Sequence, residues 1–107
     1  MTFEDIYGAV KTRFADSDVS RIREHLAYQF NIEGEGEGIF YVEVKNGEIY
    51  VEPYEYFDRD VIFKCTGETL INIMDGKLDP VAAYGSKDLK IVGDIGKALR
   101  VNDFLKS

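Results

Sequence analysis

Cysteine occurs once in this chain, at Cys65, so no internal disulfide can form and no cysteine-based zinc site can be assembled. Within VIFKCTG that thiol reads as a small buried hydrophobe rather than a nucleophile. Histidine is also single, at His25. No serine or cysteine stands at motif spacing from it, so a hydrogen-bonded structural role is expected in place of general-base work. No apolar run approaches the roughly 18 residues that span a bilayer. The opening MTFEDIYGAV has no basic run ahead of an apolar stretch, so no secretory signal is expected. Basic side chains are few, 13 against 20 acidic, for a net charge of −7. That disfavours nucleic acid, and no nucleic-acid partner is expected, because phosphate binding needs clustered Lys and Arg. It also disfavours simple electrostatic attachment to an anionic membrane surface. The charge is read as a source of solubility, and a cytoplasmic location is expected.

What is present fits one globular unit. The length of 107 residues suits a single domain, residues 1–107, and is too short for two independent cores. Seven Tyr and seven Phe are more aromatics than a disordered chain carries. Thr2 with Asp5 three residues on forms a capping box, and Ile6, Val10 and Phe14 follow at helical spacing, predicting a helix over 3–15. Asp16, Ser17 and Asp18 stop it. Leu26, Tyr28, Phe30 and Ile32 then alternate with Ala27, Gln29 and Asn31 as a strand does. Gly34-Glu35-Gly36-Glu37-Gly38 reads as a charged turn. It cannot cradle a phosphate, because its glutamates repel the anion and no Lys-Ser/Thr follows.

A second strand places Phe40, Val42 and Val44 on one face. Asn46-Gly47 predicts a type I′ hairpin, since both central positions of that turn need positive φ. Ile49 and Val51 lie on the return strand, which Pro53 ends. Beyond the loop YEYFDRD, Val61, Phe63 and Cys65 mark a fourth strand. Leu70, Ile71 and Met74 mark a helix over 67–75, closed by Gly76. Asp79-Pro80 starts a short helix as cap and first-turn proline. Leu89, Lys90 and Ile91 read as a fifth strand, and Gly93-Asp94 introduces a last helix bearing Ile95, Ala98 and Leu99. The predicted class is α+β: a five-stranded, mainly antiparallel sheet with one face covered by helices. Consecutive strands on short loops should be antiparallel, with the fifth arriving by a helical crossover.

The run DGKLDPVAAYGSKDLKIVGDIGKAL resembles the end of the sterol carrier protein family in the order and spacing of its elements. GIFYVEVKNGEIYVEP resembles that family's aromatic-rich strand, turn and return strand, and DRDVIFKCTGETLINIMDGKLDP its strand-to-helix step. The likeness covers roughly Leu26 to Leu105. Two departures stand out. There is no Trp in the second strand, where Phe40 or Tyr41 takes its place, and Lys87-Asp88 rather than Gly-Lys precede Leu89. The ending Leu105-Lys106-Ser107 does not match the family's peroxisomal Ser-Lys-Leu type, so a stand-alone, bacterial-type cytoplasmic member is expected. The resemblance implies a sheet beside an apolar tunnel holding a fatty acid, acyl-CoA, phospholipid or sterol-like ligand. It implies no cofactor, no metal and no catalysis.

On that reading the tunnel is lined from the sheet by Phe30, Phe40, Val42, Val51 and Phe63, and from the helices by Leu70, Met74, Ile95, Leu99 and Phe104. Tyr84 offers a hydroxyl to a headgroup, and Met74 an adaptable thioether. The same residues would equally build a filled core, and periodicity does not separate the two. An empty cavity costs on the order of 24 cal/mol per Å3, so roughly 300 Å3 would cost about 7 kcal/mol. That rivals the whole stability of a small domain, about 5–15 kcal/mol. The site is therefore expected to hold lipid or to collapse when empty. Transient contact with a membrane or a lipid enzyme would follow from carriage. Two rivals stand beside the carrier: an accessory module that keeps the fold without a ligand, and a lipid hydrolase acting through Glu52, Glu55, Asp58 and Asp60. That acidic spacing matches no EF-hand loop and reads better as solvated.

Overall fold

A computed structural model describes residues 1–101; the expectation for Phe104 falls outside them. Its elements in chain order are α1 (Phe3–Ala15), β1 (Leu26–Glu33), β2 (Gly38–Lys45), β3 (Glu48–Glu52), β4 (Val61–Thr66), α2 (Gly67–Met74), α3 (Pro80–Gly85), β5 (Lys90–Gly93) and α4 (Ile95–Leu99). The capping box at Thr2 and Asp5 is formed in both directions, and Ile6, Val10 and Phe14 are the buried stripe of α1. Asn46 and Gly47 take φ of 54° and 75°, the left-handed pair that joins β2 to β3. In α2 the buried positions are Leu70, Ile73 and Met74; Ile73, not Ile71, completes the inward face. No helix among the described residues is long and apolar enough to cross a membrane.

The sheet runs in the order β3-β2-β1-β4-β5. β1–β2, β2–β3 and β4–β5 are antiparallel, whereas β1 and β4 are parallel. This corrects the expectation that the fourth strand would follow the third as its antiparallel neighbour. β3 ends with Glu52 level with Tyr41 and hence with Gln29, and β4 begins opposite Tyr28. The loop over 53–60 therefore needs only to cross β2 and β1 sideways, about 14 Å at strand spacing, well within the reach of eight residues. Tyr56 marks the crossing: its N–H donates to Gln29 Oε1 at 3.1 Å and its ring lies 4.8 Å from that of Tyr41. β1 is thus central, and Gln29 on its far face is only 2% exposed. β5 arrives after two helices as an antiparallel edge strand.

The two faces differ. Tyr28, Phe30 and Ile32 of β1, with Phe40, Val42, Val44, Val51, Val61, Phe63 and Cys65 beside them, form the covered face. α1 lies against β3 and α2, while α4 lies against β4 and β5. The opposite face carries Glu43, Tyr50, Lys64, Lys90 and Val92 in alternation with those core positions.

Candidate functional site

Phe30 is the hinge of the covered face. It stands between Phe40 and Phe63 in the strand register, with ring centroids 4.9 Å from Phe40 and 5.1 Å from Phe63. On the Phe40 side the space is filled: Tyr7 of α1 meets Phe40 edge-on at 5.9 Å, and its hydroxyl donates to the carbonyl of Val51 at 2.8 Å. On the Phe63 side it is not. There a cavity of about 210 Å3 opens between the sheet and the helices.

Its walls come from almost every element. The sheet gives Phe30, Phe63 and Ile91; α1 gives Phe14; α2 gives Leu70, Ile73 and Met74; α3 gives Pro80, Val81 and Tyr84; α4 gives Ile95, Ala98 and Leu99; Leu89 and Val101 complete it. Not one of these side chains is charged, and Tyr84 alone carries a hydroxyl. Burial grades across the site. Phe14, Phe30 and Phe63 at the floor are buried, whereas Val81 is 56% and Leu99 51% exposed, with Tyr84 and Ile95 little less. The mouth thus lies between α3 and α4.

Seven of the residues expected from the sequence come together here: Phe30, Phe63, Leu70, Met74, Tyr84, Ile95 and Leu99. Phe40, Val42 and Val51 do not line this cavity; they are buried in the packed half of the core beneath α1. The geometry adds Phe14, Ile73, Pro80, Val81, Leu89, Ile91, Ala98 and Val101. Phe14, Ile91 and Ala98 were visible as apolar periodic positions, but which side of Phe30 they would reach depends on where α1 and α4 cross the sheet.

Short helices form the mouth, and each is fixed by named bonds. Asp79 caps α3 through Ala82 N–H at 3.1 Å, with Pro80 leading the helix, and Asp94 caps α4 through Lys97 N–H at 3.1 Å. Leu89 N–H donates to the Ala83 carbonyl at 3.1 Å, tying α3 to the start of β5. Lys87 takes φ of 70° in the turn between them, a conformation more usual for glycine or asparagine. Tyr28 is buried, and its hydroxyl donates to the Lys97 carbonyl at 2.7 Å, pinning α4 from below.

Asp60 holds the same corner. Its Oδ2 accepts Ala27 N–H at 2.9 Å and its Oδ1 accepts Lys97 Nζ at 3.1 Å, while its carbonyl accepts Asp94 N–H. Within the acidic loop Asp60 thus serves as a structural clamp, and Arg59 stands 4.0 Å from Glu55 at the surface. Among the described residues, no group of three or more His, Cys, Asp or Glu side chains is placed to hold a metal ion.

A separate polar cluster lies on the uncovered sheet face. Glu43 Oε2 is 2.6 Å from His25 Nε2 and accepts the Tyr56 hydroxyl at 2.7 Å. Burial pushes the Glu43 carboxyl up, but the bonds from His25 and Tyr56 outweigh it and leave it below its usual range. The bond to Glu43, then burial, pushes the Tyr56 phenol up to about 12. His25 thus takes the hydrogen-bonded position expected of it. Burial likewise pushes the Cys65 thiol up to about 12, so it stays protonated and inert.

Known proteins resemble this chain over nearly its whole length. The model of the SCP-2 sterol transfer family matches residues 9–106. Hydroxysteroid dehydrogenase-like protein 2 of Xenopus tropicalis is 35% identical over 79 residues, 73% of this chain and 19% of that protein. Its Rattus norvegicus counterpart is 30% identical over 103 residues, 95% of this chain and again 19% of the relative. The chain spans about a fifth of the length of the curated relatives it matches. Among solved structures, sterol carrier protein 2 like 2 of Aedes aegypti superposes with a TM-score of 0.70 at 21% identity, covering 92% of this chain and 91% of that one. A double mutant of the sec-alkyl sulfatase PisA1, an enzyme of Pseudomonas sp., reaches 0.81 at 21% identity over 92% of this chain and 16% of its own. Matched by the family model from residue 9 to residue 106, the chain belongs to the SCP-2 sterol transfer family.

Proposed function

We propose that this protein is a non-enzymatic lipid carrier whose ligand enters between α3 and α4 and rests on Phe30 and Phe63. One observation carries the reading: a cavity walled by 15 side chains, none charged, at the point where four helices and three strands meet. Such a site offers burial of apolar surface and little else, about 0.8 kcal/mol per methylene group. The ligand is a fatty acid, acyl-CoA, phospholipid or sterol-like molecule, held by its apolar part. A charged head stays at the mouth, where water reaches it and the Tyr84 hydroxyl is the available polar group. Family membership and the sterol carrier fold support the same reading.

The cavity volume adds a constraint. About 210 Å3 exceeds the ~150 Å3 that accepts benzene but falls short of the roughly 300 Å3 of small-molecule sites. A long chain must therefore project through the mouth or move α3 and α4 apart. When the site is empty its apolar walls at the mouth face water, so a bound chain replaces an unfavourable state.

Native mass spectrometry of the freshly purified protein, followed by solvent extraction, tests the proposal. The expected result is a stoichiometric lipid, with at least tenfold weaker retention in Leu99→Asp and Ile95→Asp. Both positions are half exposed at the mouth, so these variants should keep the wild-type circular dichroism. Recovery of no lipid, with no uptake of palmitate or acyl-CoA offered afterwards, would overturn the carrier and leave the accessory module.

A further inference from the structure

Phe40, Phe30, Phe63 and Ile91 form one row across the covered face of the sheet. The strand registers place Phe30 opposite both Phe40 and Phe63, and Phe63 opposite Ile91, so the row crosses β2, β1, β4 and β5. Ile91, Phe63 and Phe30 line the cavity, and Phe40 does not. The cavity therefore ends at Phe30, although the sheet continues past it toward β2 and β3.

The residues behind that ring hold it in place. Phe30 stacks on Phe40 with centroids 4.9 Å apart and planes 7° from parallel. Phe40 is fully buried, and two rings of α1 meet it, Tyr7 at 5.9 Å and Phe3 at 6.3 Å. Those two stack on each other at 6.0 Å, and the Tyr7 hydroxyl donates to the Val51 carbonyl on the edge strand. Phe30 thus has no space to swing toward β2. Its same-face neighbours along β1, Tyr28 and Ile32, are buried and stand outside the cavity lining. Phe63 and Ile91 lie along the floor, and Phe14, Leu70 and Met74 reach in from the helices above it. Phe30 is the wall that faces the far end.

We infer that Phe30 sets the length of acyl chain that this protein buries. The tail runs from the mouth across β5 and β4 and stops against the Phe30 ring. This inference rests on the carrier reading and adds a selection by chain length. From Ile91 to Phe30 is two strand spacings, about 10 Å, a distance spanned by roughly eight extended methylenes. Each methylene ahead of the stop raises affinity roughly fourfold. Further ones remain at the mouth in water and add little.

The test is a series of Kd values for delipidated protein with hexanoate, octanoate, decanoate, laurate and myristate, measured by isothermal titration calorimetry. Affinity should climb roughly fourfold per methylene and level off beyond decanoate. Phe30→Leu and Phe30→Ala open space that the fixed Phe40 ring cannot wholly fill, and should carry the climb about two carbons further. Phe40→Leu is the control. It removes a similar amount of core behind an intact stop, so the levelling point should stay where it is. A variant that merely loosens the core weakens every chain alike and moves no levelling point. The proposal is overturned by a wild-type climb that continues unbroken to myristate. It is equally overturned by a levelling point unmoved in Phe30→Leu that keeps the wild-type circular dichroism, or by one moved as far in Phe40→Leu. Binding of no fatty acid of any length would overturn the carrier reading and the stop with it, whereas binding without a levelling point overturns the stop alone.

Discussion

Asp60 shows how much one side chain can carry at the edge of this site. In the sequence it belongs to an acidic run with Glu52, Glu55 and Asp58, a grouping that invites a metal or an acid/base pair. In the fold it turns inward and joins β1, α4 and the start of β4. Asp60→Asn should lower stability by about 1–3 kcal/mol, through loss of the charge facing Lys97 and disturbance of the acceptor of Ala27 N–H; urea denaturation measures it. A loss of lipid retention in that variant would follow from a loosened α4. Gly93 stands beside it with φ of 114°, where a Cβ would fall 2.4 Å from the Asp60 carbonyl oxygen. Only glycine meets both demands, which gives a structural reason for the Gly-Asp step that the sequence showed only as a strand end.

Secondary elements differ in how far they stand alone. α1 and β1 were legible because their apolar periods are long, and the hairpin because Asn46-Gly47 admits the left-handed pair. α3 and α4, of six and five residues, are too short to persist by themselves. They depend on aspartate caps, on the Tyr28 and Asp60 bonds and on contact with the sheet. Asp79→Ala should cost about 0.5–2 kcal/mol. Its local signature is faster hydrogen exchange over residues 80–86, measured by mass spectrometry, with protection of β1 and β4 kept. Exchange that rose evenly through the sheet would mean that α3 opens only with the whole molecule, and would remove it as a moving lip of the mouth. The place of β4 was not legible, because strand periodicity describes a face and says nothing about which neighbour will share the hydrogen bonds.

The assembled molecule trades core volume for a binding site. If a lipid occupies the cavity, it binds the folded state and not the unfolded one, so free ligand at a hundredfold excess over Kd should add about 2.7 kcal/mol. Calorimetry of delipidated and reloaded protein should then differ in Tm by about 10 °C; equal values would mean that the lipid does not bind the folded state in preference to the unfolded one. The amino-acid sequence by itself determined the elements, their caps, the hairpin and the apolar face of each strand, because these follow from local φ preferences and periodicity. Seven of the cavity residues were legible for the same reason. Tertiary structure alone decided that β4 lies parallel to β1, that Asp60 is a clamp, and that the core is filled on the Phe40 side of Phe30 and hollow on the Phe63 side. Those outcomes depend on how far apart packed elements come to rest, and residues distant in sequence set that distance together.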